Sequence, residues 1–125
     1  MASLARIPRI VLIVDDDADM RLYLRSCIEA LRDTQVLEAE DGLEALHLLR
    51  KVPVDLVISD VVMPRLDGVA LCRALKANAD FAAIPFVLIS GEETEAPLEA
   101  DAFLAKPFNA ALLQACLGPL LNRPP

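Results

Sequence analysis

The chain is predicted to fold as one α/β domain: a doubly wound parallel sheet with helices on both faces. Three observations predict it. Short runs rich in branched aliphatic residues alternate with segments whose apolar residues recur at helical spacing, the pattern of strand–crossover–strand units. Two of the runs, 10–14 and 54–60, lack the polar alternation of a half-solvated strand, so both of their faces must be covered. Each run also stops at a polar residue beside a turn or cap signal.

In chain order, residues 1–9 form a mildly basic leader and Ile10, Val11, Leu12, Ile13 and Val14 the first strand. Asp15, Asp16 and Asp17 end it. Met20, Leu24, Cys27, Ile28 and Leu31 recur at helical spacing, and Asp17 is placed to cap that helix by accepting free N–H groups of its first turn. Val36 and Leu37 make a brief second strand. Asp41 and Glu44 stand at capping-box spacing ahead of a second helix carried by Leu43, Leu46 and Leu49 up to Pro53. The 54–60 strand stops before Pro64, and Asp67 caps a third helix whose Val69, Leu71, Cys72 and Leu75 face inward. Residues 84–89 form a fourth strand ending at Ser90, with Pro85 tolerated near its start. A short strand over 102–105 stops at Lys106 and Pro107. Leu112, Leu113, Cys116, Leu117 and Leu120 then make a last helix that Gly118 and Pro119 are expected to end.

Composition bounds the function. A chain of 125 residues, 55% apolar and 25% charged, has the length for one domain with a core of ordinary size, here taken as 8–120 with 121–125 a tail or the start of a linker. A net charge of -7 repels a phosphate backbone, so direct nucleic-acid binding is not expected. The 10–14 run is too short to span a bilayer and is followed at once by three aspartates, so no membrane association and a cytoplasmic location are expected. Cys27, Cys72 and Cys116 are odd in number and lie on apolar helical stripes, which suits reduced packing thiols. His47, the only histidine, falls on a helix away from the other polar candidates and is read as a surface residue.

In a parallel sheet all carboxyl ends lie along one edge, where ligands bind. Asp15 and Asp16 end the first strand, Asp60 the third, Ser90 the fourth and Lys106 the fifth. Three carboxylates, a hydroxyl and an ammonium thus converge on one crevice. Two carboxylates about 4 Å apart repel by roughly 4 kcal/mol at an effective dielectric near 20, so such a pocket needs a cation. Carboxylate oxygens with water suit Mg²⁺. An aspartate is also a nucleophile toward phosphorus when metal and cation neutralise the transferring group, and Asp60 is best placed for that role. Ser90 can then donate to a phosphoryl oxygen, a contact that the unphosphorylated form lacks.

These pieces, in their order and spacing, resemble a response-regulator receiver domain of two-component signalling (the CheY-like superfamily) from about Pro8 to Leu120. They are Val14-Asp15-Asp16, Asp41-Gly42 with Ala45-Leu46, Asp60 with Met63-Pro64, Asp67-Gly68, Ser90 and Lys106-Pro107-Phe108. The resemblance implies the flavodoxin-like strand order 2-1-3-4-5, an order that belongs to the family. It also implies that Asp60 takes a phosphoryl group from a sensor histidine kinase or histidine phosphotransfer protein. Asp15, Asp16, Asp60 and the backbone carbonyl of Val62 would hold Mg²⁺, and Ser90 and Lys106 the phosphoryl oxygens. The Lys106–Pro107 peptide would be cis and Phe103 would fill the aromatic switch position. The output would be a downstream protein or a fused domain, with a homodimer among the forms it admits. Such a domain is no conventional enzyme: it catalyses only its own phosphoryl transfer and autodephosphorylation.

One departure from the family pattern is evident. Only eleven residues, 91–101, link the fourth strand to the fifth, and they carry Glu92, Glu93, Glu95, Pro97, Glu99 and Asp101. A parallel crossover ordinarily needs a dozen residues or more, so the family's fourth helix is expected to be shortened or loop-like. Two other functions weigh against the switch. A Mg²⁺-dependent small-molecule phosphatase with Asp60 as nucleophile would generally carry a second acid two positions on, where Val62 stands. A phosphorylation-independent pseudo-receiver scaffold has no need of the intact acidic pocket with Ser90 and Lys106.

Overall fold

The computed structural model describes residues 7–91, 97 and 99–122. Its elements are β1 (Arg9–Val14), α1 (Ala18–Glu29), β2 (Thr34–Ala39), α2 (Gly42–Leu49), β3 (Leu56–Asp60), α3 (Gly68–Lys76), β4 (Phe86–Ser90), β5 (Ala102–Ala105) and α4 (Ala110–Leu121). The five strands form one sheet in the order β2-β1-β3-β4-β5, every pair parallel. This is the flavodoxin-like order.

The side-chain period of the strands divides the core in two. Leu12 and Val14 of β1, Val57 of β3 and Phe86 and Leu88 of β4 pack against α2 and α3 through Ala45, Leu49, Leu71, Cys72 and Leu75. Val11, Ile13, Leu56, Ile58, Val87 and Ile89 point the other way, onto Leu24, Cys27 and Ile28 of α1 and Leu113, Leu117 and Leu121 of α4. Both faces of the central strands are therefore dry, as their unbroken apolar runs require. Cys27 and Cys72 are buried and Cys116 half-buried, all three free, and burial pushes the Cys72 thiol up to about 11 and raises that of Cys116. All three pack within or against the two core clusters.

The predicted caps form. Asp17 accepts from the Asp19 amide, Asp41 from the Glu44 amide and Asp67 from the Ala70 amide, each at 2.8–2.9 Å. Asn109 caps α4 in the same way through the Leu112 amide.

Several boundaries differ from expectation. β2 is a full six-residue strand rather than a brief one, because its edge position leaves Gln35 and Glu38 to solvent and ion pairs and so dilutes the apolar signal. β4 begins at Phe86, since Pro85 contributes only its carbonyl, which accepts from Val57 N–H at 3.0 Å. Leu43 is exposed; Ala45 and Leu49 supply the inner face of α2. Gly118 and Pro119 do not end α4, which runs on to Leu121, and Leu112 faces solvent. Burial of Leu113, Leu117 and Leu121 at four-residue spacing draws the helix onward. Pro119 lies on its solvent side, where the carbonyl that loses its donor can be hydrated.

The shortened-helix expectation falls mainly on 92–96 and 98, outside the described residues. Pro97, Glu99 and Ala100 are not helical. The end of this crossover is tied to α3. Asp101 Oδ2 accepts from Lys76 Nζ at 2.9 Å and from Phe86 N–H at 2.8 Å, and Arg73 pairs with Glu99 at 3.0 Å. Among the described residues no helix is long and apolar enough to cross a membrane.

Candidate functional site

The carboxyl edge of the sheet gathers the predicted residues. Asp15 follows β1 directly and stays in the ladder, its N–H donating to Ala39 O at 3.0 Å, and the residue is only 1% exposed. Asp60 is the last residue of β3 and half-buried, whereas Asp16 is exposed. One carboxylate oxygen from each of Asp15, Asp16 and Asp60 lies within 4.8 Å of the others. Lys106 Nζ donates to Asp60 Oδ2 at 3.4 Å. The lysine arrives there because its own N–H donates to Ser90 O at 2.9 Å, one step beyond the β4–β5 ladder, before the cis Lys106–Pro107 peptide turns the chain away.

Asp15 is the buried member of the three carboxylates. Burial is the main force lifting its carboxyl from 3.8 to about 6; the Asp17 amide opposes it, Asp60 adds to it, Lys106 opposes it and Asp16 adds a little. The Asp17 N–H donates to Asp15 Oδ1 at 2.9 Å, while Oδ2 is buried without a hydrogen-bond partner. A buried carboxylate oxygen that no group among the described residues satisfies, beside two more carboxylates and one ammonium, calls for further positive charge. The donors are all oxygen, which fits a hard divalent cation such as Mg²⁺ and not a thiolate-seeking metal.

Ser90 is 2% exposed at the end of β4. It follows Phe86 and Leu88 at two-residue spacing, and Phe103, half-buried on β5 opposite Leu88, packs on the same core as they do. Ser90 and Phe103 therefore share one face of the sheet. Val62, two residues past Asp60, is 62% exposed and apolar. His47 is exposed on α2, as expected.

Some site-supporting residues gave no sequence signal. Arg21 Nη1 donates to the Asp15 carbonyl at 2.6 Å while its Nε donates to Glu38 at 3.0 Å. Arg65, in the turn after β3, donates through Nε to Asp41 Oδ2 at 2.8 Å, with Nη2 on the same oxygen. Their carboxylate partners, Glu38 and Asp41, lie 17 and 24 residues away, beyond any local pattern, so periodicity does not reveal these pairs.

Residues 11–117 match the model of the response regulator receiver domain. The chain is 36% identical over 118 residues to the sensor histidine kinase TmoS of Ectopseudomonas mendocina, covering 90% of this chain but only 12% of that protein. Among solved structures it is similar to the signal receiver domain of a signal transduction histidine kinase from Syntrophus aciditrophicus, at 32% identity and a TM-score of 0.82, covering 94% of this chain and 95% of that one. The receiver domain of the sensor histidine kinase PA1611 from Pseudomonas aeruginosa superposes equally well, TM-score 0.82 over 93% of this chain and 99% of that one. At 22% identity that likeness is one of fold; its structure holds a magnesium ion in the active site cleft. The chain belongs to the response regulator receiver family. It carries the family's acidic pocket in Asp15, Asp16 and Asp60 and is a phosphoaspartate switch of two-component signalling.

Proposed function

We propose that Asp60 is the phosphoacceptor and that the domain acts as a Mg²⁺-dependent receiver for a sensor histidine kinase or histidine phosphotransfer protein. The observation that carries this reading is the ammonium of Lys106 held 3.4 Å from Asp60 Oδ2 beside the carboxylates of Asp15 and Asp16. An Asp60 oxygen attacks the phosphorus of a phosphohistidine, the P–N bond breaks, and the imidazole leaves with its electron pair and takes up a proton. Lys106 then exchanges its carboxylate contact for a phosphoryl oxygen, and the Ser90 hydroxyl donates to another. Asp15, Asp16, Asp60 and the Val62 carbonyl would hold Mg²⁺, which when bound neutralises charge on the transferring group. Water reverses the modification, so the protein's catalysis is confined to its own phosphorylation and dephosphorylation.

The added charge of about -1.5 to -2 sets the switch. Ser90 drawn toward the phosphoryl group vacates space on the sheet face that it shares with Phe103. A few kcal/mol of differential contact suffices to shift a two-state population. The output is a downstream protein or an attached domain, with homodimerisation one form of it, and the site of action is the cytoplasm. The proposed receiver domain includes α4 to its end, where Leu121 is buried in the core and so belongs to the domain rather than to a tail.

Incubation with acetyl phosphate and Mg²⁺ followed by mass spectrometry tests this. Addition of one phosphoryl group at Asp60, abolished by Asp60→Ala, is the expected result. Continuous turnover of acetyl phosphate without a stable adduct would favour a phosphatase, and absence of any reaction a scaffold.

A further inference from the structure

We propose that Arg65 is a positioning residue: clamped to Asp41, it holds the turn between β3 and α3 so that the Val62 carbonyl stays at the metal site. This rests on the reading of the acidic pocket given above. The turn over 61–67 has an inner and an outer anchor. Inside, Val61 and Met63 are buried, the Ser59 hydroxyl lies 3.9 Å from Met63 Sδ, and the Gly68 N–H donates to Val61 O at 2.9 Å. Outside stands Arg65.

Its backbone is unusual. With φ at 68°, Arg65 occupies the left-handed region that side chains with a Cβ disfavour, and Leu66 N–H closes a three-residue turn onto Pro64 O at 2.8 Å. Glycine would adopt this conformation without cost. The long cation that occupies it instead places Nε and Nη2 on one oxygen of Asp41, a carboxylate only 2% exposed whose other oxygen caps α2. That carboxylate sits on a rigid element: a Cβ at Gly42, the next residue, would stand 2.6 Å from Leu66 O and 2.7 Å from Leu66 Cβ, so the start of α2 is already in contact with the turn. The guanidinium thus fixes the strained turn to the helix start, three residues from the carbonyl that has to meet the ion.

The test is Mg²⁺ binding by isothermal titration calorimetry, with no phosphodonor, alongside acetyl-phosphate labelling across a Mg²⁺ series. Arg65→Gly removes the clamp and relieves the backbone; Asp41→Asn keeps a capping oxygen but loses the charged partner. Each is expected to weaken Mg²⁺ binding about tenfold, the lower range for groups that orient a ligand. The double variant is expected to be no weaker than either single one, since both break the same contact. At saturating Mg²⁺ the labelling rate recovers, the unfolding temperature of Arg65→Gly in chelator does not fall, and Arg65→Lys restores part of the affinity as a point charge. Arg65→Gly binding Mg²⁺ as tightly as the unaltered protein would overturn the clamp. Failure of the unaltered protein to bind Mg²⁺ would instead overturn the reading of the pocket, and the clamp with it.

Discussion

A Cβ built on Gly68 would stand 2.1 Å from the carbonyl oxygen of Asp60, so the first residue of α3 touches the backbone of the candidate phosphoacceptor. No real Cβ fits there, and the obstructing atom is main chain that cannot swing aside. Gly68→Ala is expected to destabilise the fold by at least about 2 kcal/mol, within the range for overpacking, or to push Asp60 from its place. Urea unfolding measures the first and acetyl-phosphate labelling the second; an unchanged midpoint and labelling rate together would refute the contact.

The buried Asp15 carboxyl makes metal-free stability depend on pH. Its pKa is raised to about 6 in the folded protein from an ordinary 3.8, so between these values the native state binds more protons than the unfolded chain. Stability therefore falls as pH rises through that window and stays low above it, by on the order of 3 kcal/mol. In chelator at pH 7.5, Asp15→Asn is expected to melt higher than the unaltered protein and to lose this pH dependence between 4 and 6. Mg²⁺ is expected to stabilise the unaltered protein and not the variant.

Val62, two residues past Asp60 and 62% exposed, is apolar and has no group to orient an attacking water. The phosphorylated form is expected to be long-lived without a partner. Val62→Asn is expected to speed dephosphorylation by about tenfold, a small part of what a positioned base can supply. Decay of radiolabelled phosphoprotein gives the rate, and no acceleration would refute the idea.

Asp101 fastens the short crossover to the rest of the fold. Its Oδ2 accepts both the Phe86 N–H and Lys76 Nζ, and Phe86 is wholly buried. Asp101→Ala leaves that amide without its side-chain acceptor and is expected to cost about 2–3 kcal/mol; Asp101→Asn, which can still accept from Phe86, costs less. Chemical denaturation ranks the two, and equal losses would argue that the ion pair alone matters.

The divergence between expectation and structure follows the range of the forces involved. Caps at Asp17, Asp41 and Asp67 need only amides two or three residues away, so their residue types announced them. β1 and β3, buried on both faces, are marked by apolar runs without polar alternation, and the pocket is readable because a parallel sheet sends every strand end to one edge. The edge strand β2 and the reach of α4 past Pro119 depart from the local pattern, since burial by neighbours outweighs local propensity in both.

Residue order and type were enough to establish the five-strand plan, the acidic triad and the lysine, because each depends on local patterning and on one geometric rule. Which carboxylate lies unsatisfied in the interior, and which arginine braces the turn beside it, were settled by packing. Asp15 is distinguished from Asp16 by its position in the ladder with β2, and Arg65 by a partner 24 residues upstream. Such pairings arise only when the closed chain sets distant surfaces against each other and removes the water between them.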